Sequence, residues 1–235
     1  MKNKNKPTDV LPPPSTIGII LDGNRRWARE RGKPVFEGHV AGYDKLKEFV
    51  GWAKELNISN VFLYVFSTEN WQRPGGEVKK LLTLLAWALE NDMAEFKKMD
   101  ARLTFVGQKE KFGKKMEAKM IQLESETKNN RAIRVYFGLS YGGRAEIVDA
   151  VRRLTEKEKE TLTEEKLARC LWTREMPDPA LIIRTGGEKR LSNFLLWQSA
   201  YSELFFIPTY WPDFTKKEFE EILQEYFKRE QRRGK

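Results

Sequence analysis

The chain has 235 residues, with 43 Lys and Arg against 34 Asp and Glu, a formal charge of +9, 40% hydrophobic residues and 12% aromatic ones. The aromatic content excludes intrinsic disorder, and a single cysteine, Cys170, excludes a disulfide scaffold. The longest apolar stretches, such as Leu81 to Leu89, fall far short of the ~20 residues that a membrane helix needs.

Residues 1–15 read as a flexible, Pro-rich arm. Its basic start runs into Pro7–Pro14 rather than an apolar segment, so no secretory signal is expected, and one cysteine among many lysines suits a reducing, cytoplasmic setting. Ile17 to Leu21 is an apolar run of strand length. Helical spacing follows over Tyr43 to Leu56, then a second strand over Val61 to Phe66. Glu77 to Met99 reads as one long helix. Arg102 to Val106 and Ile133 to Phe137 read as strands, with a charged helix over about Lys109 to Thr127 between them. Helices are expected over Glu146 to Thr155 and Glu164 to Leu171, a strand over Ala180 to Ile183, a short helix over Asn193 to Tyr201 and a strand over Leu204 to Ile207. A capping box of Thr215 and Glu218 opens a last helix from about Lys216. The alternation predicts a single α/β domain over residues 16–235, with a mostly parallel central sheet flanked by helices. The near-continuous apolar strands suit a sheet covered on both faces.

Ligands of open parallel sheets bind beyond the carboxyl ends of the strands. The segments there are Asp22-Gly23-Asn24-Arg25-Arg26-Trp27, Ser67 to Arg73, Ser140 to Arg144 and Arg184 to Ser192, and all four carry Arg beside small or amide residues. Gly23 lets backbone approach a ligand, and a helix beginning near Asn24 would aim free N–H groups at an anion. Arg26, Arg184 and Arg190 offer forked donors to phosphate. Asp22 has two readings, a helix cap or a carboxylate that holds Mg²⁺ beside phosphates. Glu188 and Glu203 are further candidate carboxylates. His39, the only histidine, is read as structural or catalytic, and Cys170 as a packing residue. The helix from Glu77 is so apolar, through Leu81, Leu84, Leu85 and Ala88, that it is either deeply buried core or the wall of an apolar ligand cavity. Phosphate binders beside such a cavity would suit an amphiphile with a diphosphate head and a hydrocarbon tail.

The ordered motifs ILDGNRRWARERG, GHVAGYDKL, FSTENWQRP, SYGGRAEIV, IIRTGGEKRLSNFLLWQSAYSELFF and WPDF resemble those of the cis-prenyltransferases, from about Ser15 to Gly234. The resemblance implies a homodimeric α/β enzyme with a hydrophobic tunnel, requiring Mg²⁺, that condenses isopentenyl diphosphate onto an allylic diphosphate such as farnesyl diphosphate with cis geometry. It implies that Asp22 holds Mg²⁺ and that Gly23, Asn24, Arg25, Arg26 and Trp27 cradle the allylic diphosphate. His39 matches an active-site position, and Asn70 and Trp71 match a loop that orders over substrate, with Ser67 in the same motif and Arg73 following. His39, Asn70 and Ser67 are the catalytic candidates and Trp71 and Arg73 substrate-binding ones, while Arg184, Arg190 and Ser192 match the homoallylic pocket. Glu203 matches a second, metal-associated carboxylate that reaches across the dimer, and Arg232 an element that enters the partner's site. Val65 and Phe137 lie on tunnel-facing strands. Val35 departs from the pattern, standing where many members carry an Arg to the allylic diphosphate; Arg25 or Lys33 would have to compensate. The proton lost in each condensation goes to a diphosphate oxygen or through Asn70, Ser67 or His39. The other classes are a non-catalytic, prenyltransferase-like partner subunit, which would lack these motifs, and a nucleic-acid binder, which explains the charge but not the motifs; no nucleic acid is expected. Peripheral contact with an anionic membrane is a further expectation.

Overall fold

The computed structural model describes residues 12–229. Six strands form one all-parallel sheet in the order β3-β4-β2-β1-β5-β6, with β1 at Thr16–Ile20, β2 at Asn60–Ser67, β3 at Ala101–Val106, β4 at Ile133–Tyr141, β5 at Leu181–Arg184 and β6 at Glu203–Phe206. β1 is buried throughout, as are all four residues of β5, which is what helices over both faces of a parallel sheet produce. Every strand expected from the apolar runs is present. The chain leaves β1 for β2 on one side and later returns to β5 on the other. That reversal opens a crevice at the carboxyl end of β1.

The helices are α1 (Asn24–Glu30), α2 (Val35–Glu55), α3 (Gly75–Asn91), α4 (Met93–Lys98), α5 (Lys114–Thr127), α6 (Gly143–Arg153), α7 (Glu156–Glu160), α8 (Glu164–Cys170) and α9 (Lys216–Lys228). One face of the sheet packs against α2 to α5 and α9 around Phe49, Phe96, Met120 and Phe219. The other buries Phe62, Tyr136, Tyr141, Phe194 and Leu195. The Thr215–Glu218 capping box is formed in both directions at α9.

Several elements differ from the sequence expectation. The single helix over Glu77 to Met99 is two, because the chain breaks at Asp92, whose carboxylate accepts from Lys47 Nζ at 2.8 Å. The helix over Lys109 to Thr127 is interrupted at Gly113, where φ is +82°. Asn193 to Tyr201 is a string of turns rather than a helix. Ser192, Asn193 and Leu195 there have positive φ, held by complete burial of Phe194 and Leu195 and by the Asn193 carboxamide oxygen, which accepts the Arg144 N–H at 2.9 Å. α2 begins eight residues before the expected Tyr43, bringing His39 into a helix. Of the N-terminal arm, residues 1–11 lie outside the described residues; Pro14 is buried, and Ser15 is tied down through its carbonyl, which accepts from the Asn60 backbone and side chain.

Candidate active site

Asp22 sits just past β1, and its backbone is clamped to the loop after β5. Its N–H donates to Thr185 Oγ1 at 3.0 Å, and Thr185 Oγ1 donates to the Asp22 carbonyl at 2.7 Å. Register explains the meeting, since Ile20 pairs with Arg184. The Asp22 carboxylate then receives Arg184 Nη2 at 2.8 Å and stands 3.3 Å from Arg26 Nη2. Arg184 is 5% exposed. Its Nη1 donates to Ser192 Oγ at 2.7 Å and to the Arg190 carbonyl, while Nε has no partner. Arg26 also lies 3.6 Å from Glu188, which is ion-paired with Arg190, and over the Tyr210 ring at 5.4 Å. Gly23 has φ +111°, and a Cβ there would come within 2.7 Å of the Tyr210 ring and 3.0 Å of its backbone. Glycine is therefore required both by conformation and by space.

A second charge cluster lies around Glu77 on α3. Its carboxylate is 3.1 Å from Arg73, 3.6 Å from Arg25 and 3.6 Å from His39 Nε2. The last separation is beyond hydrogen-bond reach, and His39 Nε2 is buried without a partner. Burial, then the Arg73 charge, push His39 down to about 4, against a partial opposing effect of Glu77. Burial also draws the Arg73 guanidinium below its ordinary value; Glu77 opposes this and Arg25 adds to it.

These groups open onto a cleft of about 610 Å³. The structure brings Asp22, Asn24, His39, Ser67, Asn70, Arg73, Arg184, Arg190 and Ser192 together around it. Asn70 is fixed there because its Oδ1 accepts the Ser67 N–H at 3.1 Å. An apolar cavity of about 110 Å³ adjoins, lined among others by Val65, Leu81, Leu84, Leu85, Ala88 and Phe137. Cleft and cavity share Leu21, Asn24, His39, Val65 and Leu81 as walls. A polar, arginine-rich cleft thus lies directly against an apolar cavity.

Other candidate residues lie elsewhere. Trp27 donates Nε1 to Asp213 at 2.7 Å, and Trp71 donates to Ser140 Oγ at 2.9 Å while packing on Phe66 and Phe112. Glu203 opens β6 and pairs with Arg229 at 2.7 Å. It is three register positions below Phe206, the partner of Arg184, or about 10 Å along the strand. Arg232 lies outside the described residues. Val35, Phe36 and Lys80 border a side pocket beside His39 and Glu77, while Lys33 is engaged by Glu37 at 2.8 Å. Sequence reasoning missed Thr185 and Glu77. Glu77 reads in sequence as an ordinary acidic residue in a first helical turn; Thr185 was legible only as a hydroxyl following a strand.

The undecaprenyl diphosphate synthase model of the prenyltransferases matches residues 20–234. The chain belongs to this prenyltransferase family. Isoprenyl transferases from Thermotoga maritima and Aquifex pyrophilus are 43% and 40% identical to it, with 94% of this chain covered in both and 97% and 96% of theirs. Lavandulyl diphosphate synthase from Lavandula x intermedia, solved with dimethylallyl diphosphate, superposes with a TM-score of 0.88 at 30% identity, covering 93% of this chain and 97% of that one. A probable undecaprenyl diphosphate synthase from Campylobacter jejuni gives 0.78 at 34% identity, covering 94% and 99%. The fold and the catalytic character expected of a prenyltransferase are both supported by these relatives, and the alternative of a non-catalytic subunit has no support among them. No helix among the described residues is long and apolar enough to cross a membrane.

Proposed function

We propose that this prenyltransferase extends an allylic diphosphate with isopentenyl diphosphate, forming cis double bonds. The observation that carries this reading is the arginine-rich cleft lying against the apolar cavity, with Leu21, Asn24, His39, Val65 and Leu81 as walls of both. One end takes diphosphates and the other a hydrocarbon tail, so the cavity is the start of the tunnel that holds the growing chain.

Arg184, Arg190 and Ser192 would seat isopentenyl diphosphate, and Arg26 with the Gly23–Asn24 backbone the allylic diphosphate. Forked guanidinium–phosphate contacts fix orientation as well as charge, and holding two reactants at attack distance supplies much of the rate. Among the described residues no three His, Cys, Asp or Glu side chains converge to cage a metal. The donor set nevertheless fits Mg²⁺, which is commonly held by one or two carboxylates plus substrate phosphates; Asp22, with Glu188 nearby, is that carboxylate. When bound, Mg²⁺ would stabilise the charge of the departing diphosphate. The new C–C bond forms at the isopentenyl double bond, and one C2 proton leaves. His39, held neutral by burial, is a poor base in the free protein, and a diphosphate oxygen is the better acceptor.

We also propose a homodimer, in which Glu203 reaches the other copy's site. Tyr201, 76% exposed two residues before Glu203, offers a ring that a second copy would cover. Release of a long hydrocarbon, together with the Lys excess, favours peripheral contact with an anionic membrane.

Incubation with farnesyl diphosphate, labelled isopentenyl diphosphate and Mg²⁺ should give labelled polyprenyl diphosphate. Asp22→Ala should lower incorporation at least about a hundredfold, the scale of losing one transition-state charge stabiliser. Near-normal turnover of the variant would refute the scheme.

A further inference from the structure

The other face of the sheet's β3 edge carries a second arginine cluster. β3 and β4 pair with Arg102 beside Arg134 and Thr104 beside Tyr136 on one face. Parallel sheets normally bury such a face under apolar side chains, and like charges on directly neighbouring strands repel. Here the two guanidinium groups share one carboxylate, Glu175, at 2.6 Å from Arg134 and 3.7 Å from Arg102. Arg134 is only 17% exposed on its side chain. It is held in place by Thr104 Oγ1, which accepts from its Nε at 3.2 Å, and by the Tyr136 ring at 4.8 Å.

Three more cations enter the same cleft, of about 380 Å³, from separate parts of the chain: Lys109 after β3, Arg153 on α6 and Arg174 after α8. Lys109 is matched by Glu124 at 3.1 Å and Arg153 by Asp149 at 2.7 Å. Arg174 makes no ion pair among the described residues, and its charge acts on Glu175 from a distance. Five cations therefore face three carboxylates, and the excess is two positive charges. No single helix face gathers these residues, so a solvated amphipathic surface does not account for their convergence. The volume is room for about a dozen waters at roughly 30 Å³ each, enough for a hydrated anion.

We propose that this cleft is a phosphate-binding site separate from the catalytic one, taking a phosphate dianion or diphosphate against Arg102, Arg134 and Arg174. Guanidinium forks suit that geometry. Two sources supply such a group: a soluble phosphate or diphosphate, or the head group of an anionic phospholipid. The inference does not depend on the catalytic reading above.

The test is calorimetric titration of the full chain with inorganic pyrophosphate in EDTA. The double variant Arg102→Gln/Arg174→Gln should lose one binding class, or weaken it at least tenfold, while Arg190→Gln loses a different class. Turnover at saturating substrates should stay within twofold of wild type in the double variant. Arg102→Lys/Arg174→Lys, which keeps the charge without the fork, should bind more weakly than wild type but more tightly than the Gln variant, which separates loss of charge from misfolding. Co-sedimentation with phosphatidylglycerol vesicles, absent with phosphatidylcholine and abolished in the Gln variant, would assign the lipid source; pyrophosphate binding without sedimentation would assign the soluble one. Isotherms of the Gln variant and wild type that coincide, with no difference in sedimentation, would overturn the proposal.

Discussion

At the scale of single residues, two titratable side chains of the site, Arg184 and His39, are nearly closed off from water while most of the surrounding charges remain partly exposed. His39 shows it most directly. Its imidazole is 10% exposed on its side chain, and burial and the neighbouring Arg73 and Arg25 outweigh Glu77. The folded chain resists protonating it until about pH 4, whereas an unfolded chain takes up the proton near 6.5. The stability contribution is thus complete above pH 6.5 and is lost progressively as pH falls towards 4, by up to about 3 kcal/mol. His39→Gln should flatten the fall of the unfolding midpoint between pH 6.5 and 4 relative to wild type, measured by denaturant titration at each pH. Equal slopes would mean that the imidazole protonates freely in the native state. Gly23 gives a second residue-scale test. Gly23→Ala meets Tyr210 in a backbone conformation that L-residues avoid, so activity should fall at least about tenfold with strain on the order of 1–3 kcal/mol. Tyr210→Ala should not rescue it, because the φ requirement persists.

At the scale of elements, the floor of the apolar cavity is aromatic. Phe137 on β4 stacks on Phe105 of β3 at 5.4 Å and meets Phe96 of α4 edge-on at 5.7 Å. The cavity's 110 Å³ is less than the roughly 150 Å³ of an apolar cavity that admits benzene. A growing chain must therefore stop early or displace this floor, and a packed interior has little slack. Phe137→Ala should lengthen the product distribution in reversed-phase chromatography, while lowering stability by about 3–5 kcal/mol. Unchanged lengths would make Phe137 ordinary core. The same region shows where the sequence was legible. Strands announced themselves as apolar runs, and three of the four arginine-bearing turns after them line the cleft, whereas Ser140 to Arg144 does not. The break at Asp92 left no such mark, because apolar spacing continues across it and the pairing partner, Lys47, is 45 residues away. The turns at Asn193 to Tyr201 were hidden for a related reason. Burying Phe194 and Leu195 against the sheet, not local helical preference, sets their backbone. Glu77 could not be singled out, since its three neighbours, Arg25, the neutral His39 and Arg73, come from α1, α2 and the loop after β2.

At the scale of the whole molecule, one observation tests how copies cooperate. Glu203 is at the lower end of β6 and engaged by Arg229, so within one chain it stands apart from Asp22. If it serves a second copy's site, a mixture of inactive Asp22→Ala and Glu203→Ala chains should regain activity after subunit exchange, because one of the two sites in a mixed dimer keeps both carboxylates. Wild-type chains should sediment as dimers in the same buffer. Mixtures that stay inactive would place Glu203's role within its own chain.

The clamp between Asp22 and the loop after β5 has a consequence for biogenesis. Asp22 and Arg184 are 162 positions apart, and the Thr185 contacts span 163. Chains are made from the N-terminus, and such distant pairings form late. On the ribosome, Asp22 emerges early together with Arg26 but stays without Arg184, its shorter guanidinium contact, until β5 has been translated and inserted beside β1. A stalled or truncated polypeptide would hold Asp22 and the segment proposed for the allylic diphosphate without the Arg184–Ser192 segment proposed for isopentenyl diphosphate, so an incompletely synthesised copy would be catalytically silent.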